Sequence, residues 1–179
     1  VESYLDFIGE GIEVMAMKAL PEAYRNAETI ASAVTAMREE YADRWFLTSR
    51  PFDGVKEMLD GLVSRGVKIS ILSNKLDVFT KAMAARLLPD WGFEEVRGLK
   101  PDCPRKPDPA GALLCAGSMG VTPVHCIFVG DSAIDMQTAV RAGMAPFGVL
   151  WGYQDREQLI MGGAEVLMHE PRELLGYFT

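Results

Sequence analysis

The sequence is poor in the residues that would announce several classes outright. Its 179 residues include only three cysteines, Cys103, Cys115 and Cys126. They are odd in number and lack C-x-x-C spacing, which argues against a disulfide frame or a structural zinc site and fits a reducing compartment. The expected location is therefore the cytoplasm. There are two histidines, His125 and His169, and neither has a partner at ligand spacing, so both read as structural or exposed. No apolar run approaches the roughly 20 residues that a bilayer-spanning helix needs, so no membrane partner is expected. The opening VESYLDFIGEG lacks the basic and apolar blocks of a signal peptide. Positive charge is in deficit, at 18 Lys and Arg against 25 Asp and Glu for a net charge of −7. A nucleic-acid surface, usually basic over one face, is not expected. The sequence carries no repeat and no low-complexity tract.

What remains is 49% apolar and 24% charged, enough for a real core and a smaller appendage. Residues 1–50 read as all-helical. Ile30, Val34, Met37, Tyr41 and Trp45 recur at steps of three and four, predicting a helix from about Ala27 to Phe46. A shorter helix from Ile12 to Leu20 is stopped by Pro21, and Gly9 and Gly11 break what precedes it. Met15, Met17, Met37 and Met58 read as core gap-fillers. From Arg50-Pro51 onward helices and strands alternate. Val55, Met58, Leu59, Leu62 and Val63 mark a helix stopped at Gly66, followed by a β-branched strand, Val67–Leu72. Asp77 is placed to cap a helix whose inner face is Phe79, Ala82, Met83 and Leu87. Phe93–Val96 reads as a short strand. After the Pro-rich KPDCPRKPDPAG, Asp108 caps a helix with Pro109 at its first position. Strands at Cys126–Val129, Pro146–Leu150 and Ala164–Met168, with helices at Asp155–Met161 and Pro171–Leu175, complete an α/β pattern. Such alternation means a doubly wound parallel sheet. The expected division is 1–50 and 51–179.

The chain is organised around HCIFVGDSAIDMQTAVRAG, His125 to Gly143. A buried strand ends at Gly130, and Asp131 stands where the strand gives way to its helix. Open α/β sheets put their chemistry at the carboxyl ends of strands. Asp131 either takes hydrogen bonds at a turn or holds a cation or proton. Ser132 and Asp135 form an S-x-x-D pair that reads as a helix cap or, for Asp135, as part of a metal site. Magnesium asks for one or two carboxylates together with water and phosphate oxygens. Two other loops carry polar groups that packing does not request: Ser73-Asn74 after a strand, and Lys106 in RKPDP. A hydroxyl, an amide, an ammonium and paired carboxylates together suit phosphoryl transfer. Trp151-Gly152-Tyr153 follows a strand and reads as a packed loop or, alternatively, as part of a site's rim, and Cys126 as a small buried hydrophobe.

In that order the segments resemble the haloacid-dehalogenase superfamily, and within it the phosphoglycolate-phosphatase-like and β-phosphoglucomutase-like branch. ISILSNK is similar to the second motif, RKPDP to the third and VGDSAIDMQTAVRAG to the fourth. PFDGVKEMLDGLVSRG looks like the segment entering the core, and residues 1–50 look like the helical cap, with LDFIGEGIEVM as its early part. The resemblance implies that Ser73, Asn74 and Lys106 bind the transferring phosphoryl group. It implies that Asp131 holds Mg²⁺, with Asp135 beside it as ligand or support. It also implies a small phosphomonoester as substrate, and a monomer or homodimer. The family's first motif, D-x-D-G-T, carries the nucleophile on a central strand, and it does not occur here. Phe52-Asp53-Gly54 is the nearest imitation, without the second acid or a preceding strand. In the family the missing strand lies between those read at Val67–Leu72 and Cys126–Val129. An upstream segment is therefore expected, and the chain as written is expected to be inactive. The rival readings are a pseudoenzyme or interaction domain, tested by reading the gene upstream of Val1, and a sugar phosphomutase of the same fold.

Overall fold

A computed structural model describes residues 11–101 and 103–178. The stretch 5–10, read above as the start of an early cap piece, and Gly9 lie outside the described residues. The chain divides into two compact units, Val1–Arg50 and Pro51–Thr179.

The first unit is helical. Helix α1 (Ile12–Ala19) and helix α2 (Ala27–Thr48) are joined through a 3₁₀ turn at Glu22–Tyr24. The α2 start is sharp because the Asn26 side chain accepts the Thr29 N–H at 2.9 Å, satisfying one of the free donors of the first turn. Along α2 the apolar stripe holds as expected: Val34 is buried, and Ile30, Met37, Tyr41 and Trp45 are half-buried. Ala16 is the buried residue of α1, and Arg38 pairs with Glu13 across the two helices at 2.8 Å.

The second unit is the α/β part. Helix α3 (Val55–Ser64) leads to strand β1 (Ser70–Leu76), helix α4 (Asp77–Leu87) and strand β2 (Glu95–Leu99). Helix α5 (Ala110–Met119), strand β3 (Ile127–Gly130), helix α6 (Ala133–Ala142) and strand β4 (Ala145–Val149) follow. Helix α7 (Arg156–Gly162), strand β5 (Val166–Met168) and a 3₁₀ helix (Pro171–Tyr177) close the unit. All pairings between named strands are parallel, in two pieces ordered β1-β2 and β3-β4-β5. The expected parallel α/β architecture is thus present. One apolar cluster, with Ala112, Ala116, Cys126, Ala139 and Met144, joins α5 and α6 to Leu72 and Phe128. A second packs Leu62, Phe147, Val149, Met168 and Leu174 beneath α3 and the closing 3₁₀ helix. Met136, Met144 and Met168 are buried as fillers of uneven space; of the four methionines read as gap-fillers above, Met15, Met37 and Met58 are half-buried and Met17 is exposed.

Several expectations need correction. Strand β1 begins three residues later than the apolar run suggests and continues through Ser73-Asn74-Lys75, because pairing fixes its length. Ser70, Ile71 and Leu72 oppose Glu95, Val96 and Arg97, the register then shifts, and Leu76 opposes Leu99. Asp77 does not cap α4. It is the first helical residue, and its carboxylate accepts the Gly98 N–H at 3.0 Å and pairs with Lys81 at 2.9 Å. Those two bonds, the Gly98 one foremost, hold its pKa below the usual carboxylate value. The inner face of α4 is Thr80 and Ala84 rather than Ala82, which is exposed. The closing helix is 3₁₀ instead of α.

The join between β1 and β2 has no room for a side chain at Gly98. A Cβ there would lie 2.5 Å from the Asp77 Cα and 2.6 Å from the Lys75 carbonyl oxygen, both backbone. Gly98→Ala is therefore expected to cost about 3 kcal/mol, the upper range for overpacking, read as a lower denaturant midpoint at unchanged slope.

Candidate functional site

The site grows from the ends of β1 and β3 and the loop before α5. In the first of these, the Ser73 hydroxyl oxygen accepts the Lys75 N–H at 3.1 Å. That contact uses a lone pair and keeps the hydroxyl proton for another acceptor. Next to it, Asn74 clamps the Lys106 peptide from both sides: its Nδ2 donates to the Lys106 carbonyl at 3.0 Å, and its Oδ1 accepts the Lys106 N–H at 2.7 Å. Asn74 thus fixes the RKPDP loop on the end of β1.

Held this way, the Lys106 ammonium crosses the interval between the two sheet pieces. Its Nζ donates to the Leu72 carbonyl at 3.4 Å and to Asp135 Oδ1 at 2.6 Å. It also lies 5.9 Å from the centre of the Phe128 ring on β3, where the ring face attracts a cation. The pair with Asp135 is shielded, with side-chain exposures of 13% and 7%. Asp135 Oδ2 accepts the Ser132 hydroxyl at 2.6 Å, while Ser132 Oγ takes the Asp135 N–H and caps α6. The capping and site readings of this S-x-x-D pair divide between its members: Ser132 caps, and the Asp135 carboxylate is held between Ser132 and Lys106.

Asp131 stands at the turn itself. Burial, then the neighbouring Asp135 charge, pushes its carboxyl above the usual range, against its own N–H, Lys106 and the Tyr153 N–H, which favour the anion. A half-buried carboxylate beside a second carboxylate is the hard-oxygen donor set that suits a divalent cation. Among the described residues no group of three or more His, Cys, Asp or Glu stands at metal-binding distance. Water and substrate oxygens would fill the rest of such a shell. The donors present fit Mg²⁺ and not a closed zinc site.

The loop after β4 packs against Asp131. A Cβ on Gly152 would come 2.3 Å from the Asp131 Cβ and 2.7 Å from its Oδ2, so only glycine lets the loop approach the acid. Gln154 N–H donates to the Asp131 carbonyl at 3.0 Å, and Gln154 Oε1 accepts the Ala133 N–H at 2.6 Å. Gln154 has no local signal because its partners lie over 20 positions away; a glycine three residues past the end of a buried strand is the available hint at Gly152. A small surface recess lies beside Ser73, Asn74 and Lys106, bounded also by Arg97 and Cys103.

Apart from Cys103, the remaining residues singled out lie away from this chemistry. Asp53 is exposed in the turn before α3, not at a strand's carboxyl end. His125 and His169 are exposed. The described cysteines are all free; Cys126 is buried, and burial raises the Cys115 thiol to about 11.

The description "Haloacid dehalogenase-like hydrolase" fits residues 1–149 of the chain. A phosphoglycolate phosphatase of Xylella fastidiosa is 34% identical over 156 residues, covering 82% of this chain and 66% of the relative. An N-acetylmuramic acid 6-phosphate phosphatase of Pseudomonas aeruginosa is 31% identical over 152 residues, covering 79% of this chain and 65% of the relative. The chain thus spans about two thirds of the length of these curated relatives. A solved structure from Lactobacillus delbrueckii subsp. bulgaricus, provisionally described as a phosphoglycolate phosphatase, superposes with a TM-score of 0.90 at 26% identity over 99% of this chain and 82% of that one. A haloacid dehalogenase-like family protein of Streptococcus pneumoniae, at 22% identity, shares the fold with a TM-score of 0.85 over 98% of this chain and 80% of its own. With three separated motifs meeting at Lys106 and relatives of this kind, the chain belongs to the haloacid dehalogenase-like hydrolases.

Proposed function

We propose that the protein is a Mg²⁺-dependent phosphatase of a small phosphomonoester, phosphoglycolate-like, working through an aspartyl-phosphate. The observation that carries this is the run of contacts from Asn74 through Lys106 to Asp135, which draws three sequence-distant motifs to one point beside Asp131. The names of the relatives, phosphatases of phosphoglycolate and of a sugar phosphate, support the substrate class.

In this reading the nucleophilic aspartate belongs to a D-x-D-G-T segment outside these 179 residues. The aspartate oxygen attacks phosphorus as the ester P–O bond breaks, and a second acid of that segment protonates the leaving alkoxide. Water, deprotonated by the same acid, then releases phosphate. The Ser73 hydroxyl and the Lys106 ammonium hold the phosphoryl oxygens, where charge concentrates. Asn74, expected from the resemblance to bind phosphate as well, has both amide atoms on the Lys106 peptide and in this reading keeps Lys106 in place. Asp131, with Asp135 behind it, holds Mg²⁺, which when bound offsets the charge of phosphate and carboxylates. Residues 1–50 act as a cap that closes over substrate and sets specificity. An odd cysteine count without C-x-x-C spacing supports a cytoplasmic location.

The test is a panel of phosphomonoesters assayed with and without Mg²⁺ on protein carrying the D-x-D-G-T segment. Mg²⁺-dependent release of phosphate from a small acid or sugar phosphate is expected, and none from the 179 residues alone. Phosphoryl transfer to a sugar without free phosphate, or turnover indifferent to Mg²⁺, would overturn the reading.

A further inference from the structure

We infer that Gln154 is a positioning residue for the cation site. Resting on the reading of Asp131 as the carboxylate that holds Mg²⁺, this assigns a role to the β4–α7 loop. Three consecutive residues of that loop bear on one acid. Gly152 is pressed so close that any Cβ would meet the Asp131 side chain at 2.3 Å. The Tyr153 N–H lies where it favours the Asp131 anion. Gln154 then brackets the turn itself, donating its N–H to the Asp131 carbonyl and accepting the Ala133 N–H on its side-chain oxygen, at 3.0 and 2.6 Å.

The geometry explains why a glutamine serves here. Ala133 is the first residue of α6, and its N–H is one of the donors that a helix leaves without an internal partner. Ser132 uses its own side chain on Asp135, so the Ala133 donor is met from outside, by a chain segment 21 residues on. With Asp131 tied at its carbonyl and Ala133 at its nitrogen, both ends of the Asp131–Ser132–Ala133 turn are fixed. The direction in which the Asp131 carboxylate leaves the backbone is fixed with them. Partners that orient a metal-binding group in this indirect way typically change metal affinity by tenfold or more when removed.

The experiment measures Mg²⁺ binding by calorimetry on the full-length protein without substrate, for the wild type, Gln154→Met, Gln154→Glu and Asp131→Asn. Gln154→Met keeps the length and removes the acceptor; about tenfold weaker binding is expected. Gln154→Glu keeps an acceptor oxygen at the same reach and is expected to bind at least as tightly as the wild type. In parallel, the Ala133 amide resonance should move upfield in Gln154→Met and stay in Gln154→Glu. A residue that merely filled space would lower the melting temperature in both variants and leave the Mg²⁺ affinity alone. If Asp131→Asn binds Mg²⁺ like the wild type, or the wild type binds none, the metal reading falls and the inference falls with it. If Asp131 proves essential while Gln154→Met binds normally, only the inference falls. Should Gln154→Met fail to fold, Gln154→Asn, one methylene too short to reach Ala133, carries the same expectation.

Discussion

Lys106→Ala is expected to lower both stability and turnover, the first by about 3 kcal/mol and the second by two to three orders of magnitude. The stability loss follows from what the ammonium leaves behind. Asp135 is 5% exposed, and with Lys106 gone its carboxylate keeps only the Ser132 hydroxyl, within reach of the Asp131 charge. Breaking a shielded pair by removing one partner is far costlier than replacing both. The double variant Lys106→Met with Asp135→Asn should therefore regain most of the stability in a denaturant titration. It should regain none of the activity, because the phosphoryl oxygens still lack their cation. Activity that returned together with stability would make Lys106 a structural residue and end the phosphate assignment. Near-native turnover in Lys106→Ala would do the same.

The sequence made the order of the chemistry legible, but not its mutual support. Lys106, Asp131 and Asp135 stand in a loop, at a turn and in the first turn of a helix, while Ser73 and Asn74 follow the apolar run within β1; local signals suffice there: an apolar run stops, a proline or glycine turns the chain, a polar residue follows. Strand β1 shows the limit of such signals. Its apolar run starts at Val67, yet its hydrogen-bonded part is Ser70–Leu76, because the partner strand begins opposite Ser70 and a register shift lets pairing resume at Leu76. Asp77 was misread for a related reason. An acid at a helix start looks like a cap, and only the distant Gly98 N–H reveals its other use. The same holds for Asn74, whose amide is spent on the Lys106 peptide, and for Gln154, whose partner is Ala133. Long-range hydrogen bonds of this kind leave no local period and no composition bias. The α/β class, by contrast, rests on repeated alternation, which one misplaced boundary does not disturb.

Asp131→Asn should separate stability from function in opposite directions. The wild-type carboxyl is pushed upward mainly by burial and next by the Asp135 charge, so its ionisation weakens the metal-free fold. The sign follows from proton linkage. A group whose folded pKa is raised contributes stability that is fully present below its unfolded value, 3.8 for this residue, and lost as pH rises through the raised folded value. As pH rises through that raised value the wild type loses the contribution, whereas asparagine has no proton to lose. Metal-free Asp131→Asn is therefore expected to melt above metal-free wild type at pH 7, with the gap closing as pH falls towards 4. Added Mg²⁺ should raise the melting temperature of the wild type by mass action and leave the variant unmoved. Turnover should fall by about a thousandfold, in line with the several kcal/mol that a bound cation contributes to a phosphoryl transition state. This combination follows only if Asp131 is kept ionised, at a cost to the empty fold, for the cation it binds. A variant that melts lower than the wild type without metal would show the carboxylate to be a structural acceptor of the Tyr153 N–H. One that is stabilised yet keeps its turnover would remove Asp131 from the chemistry.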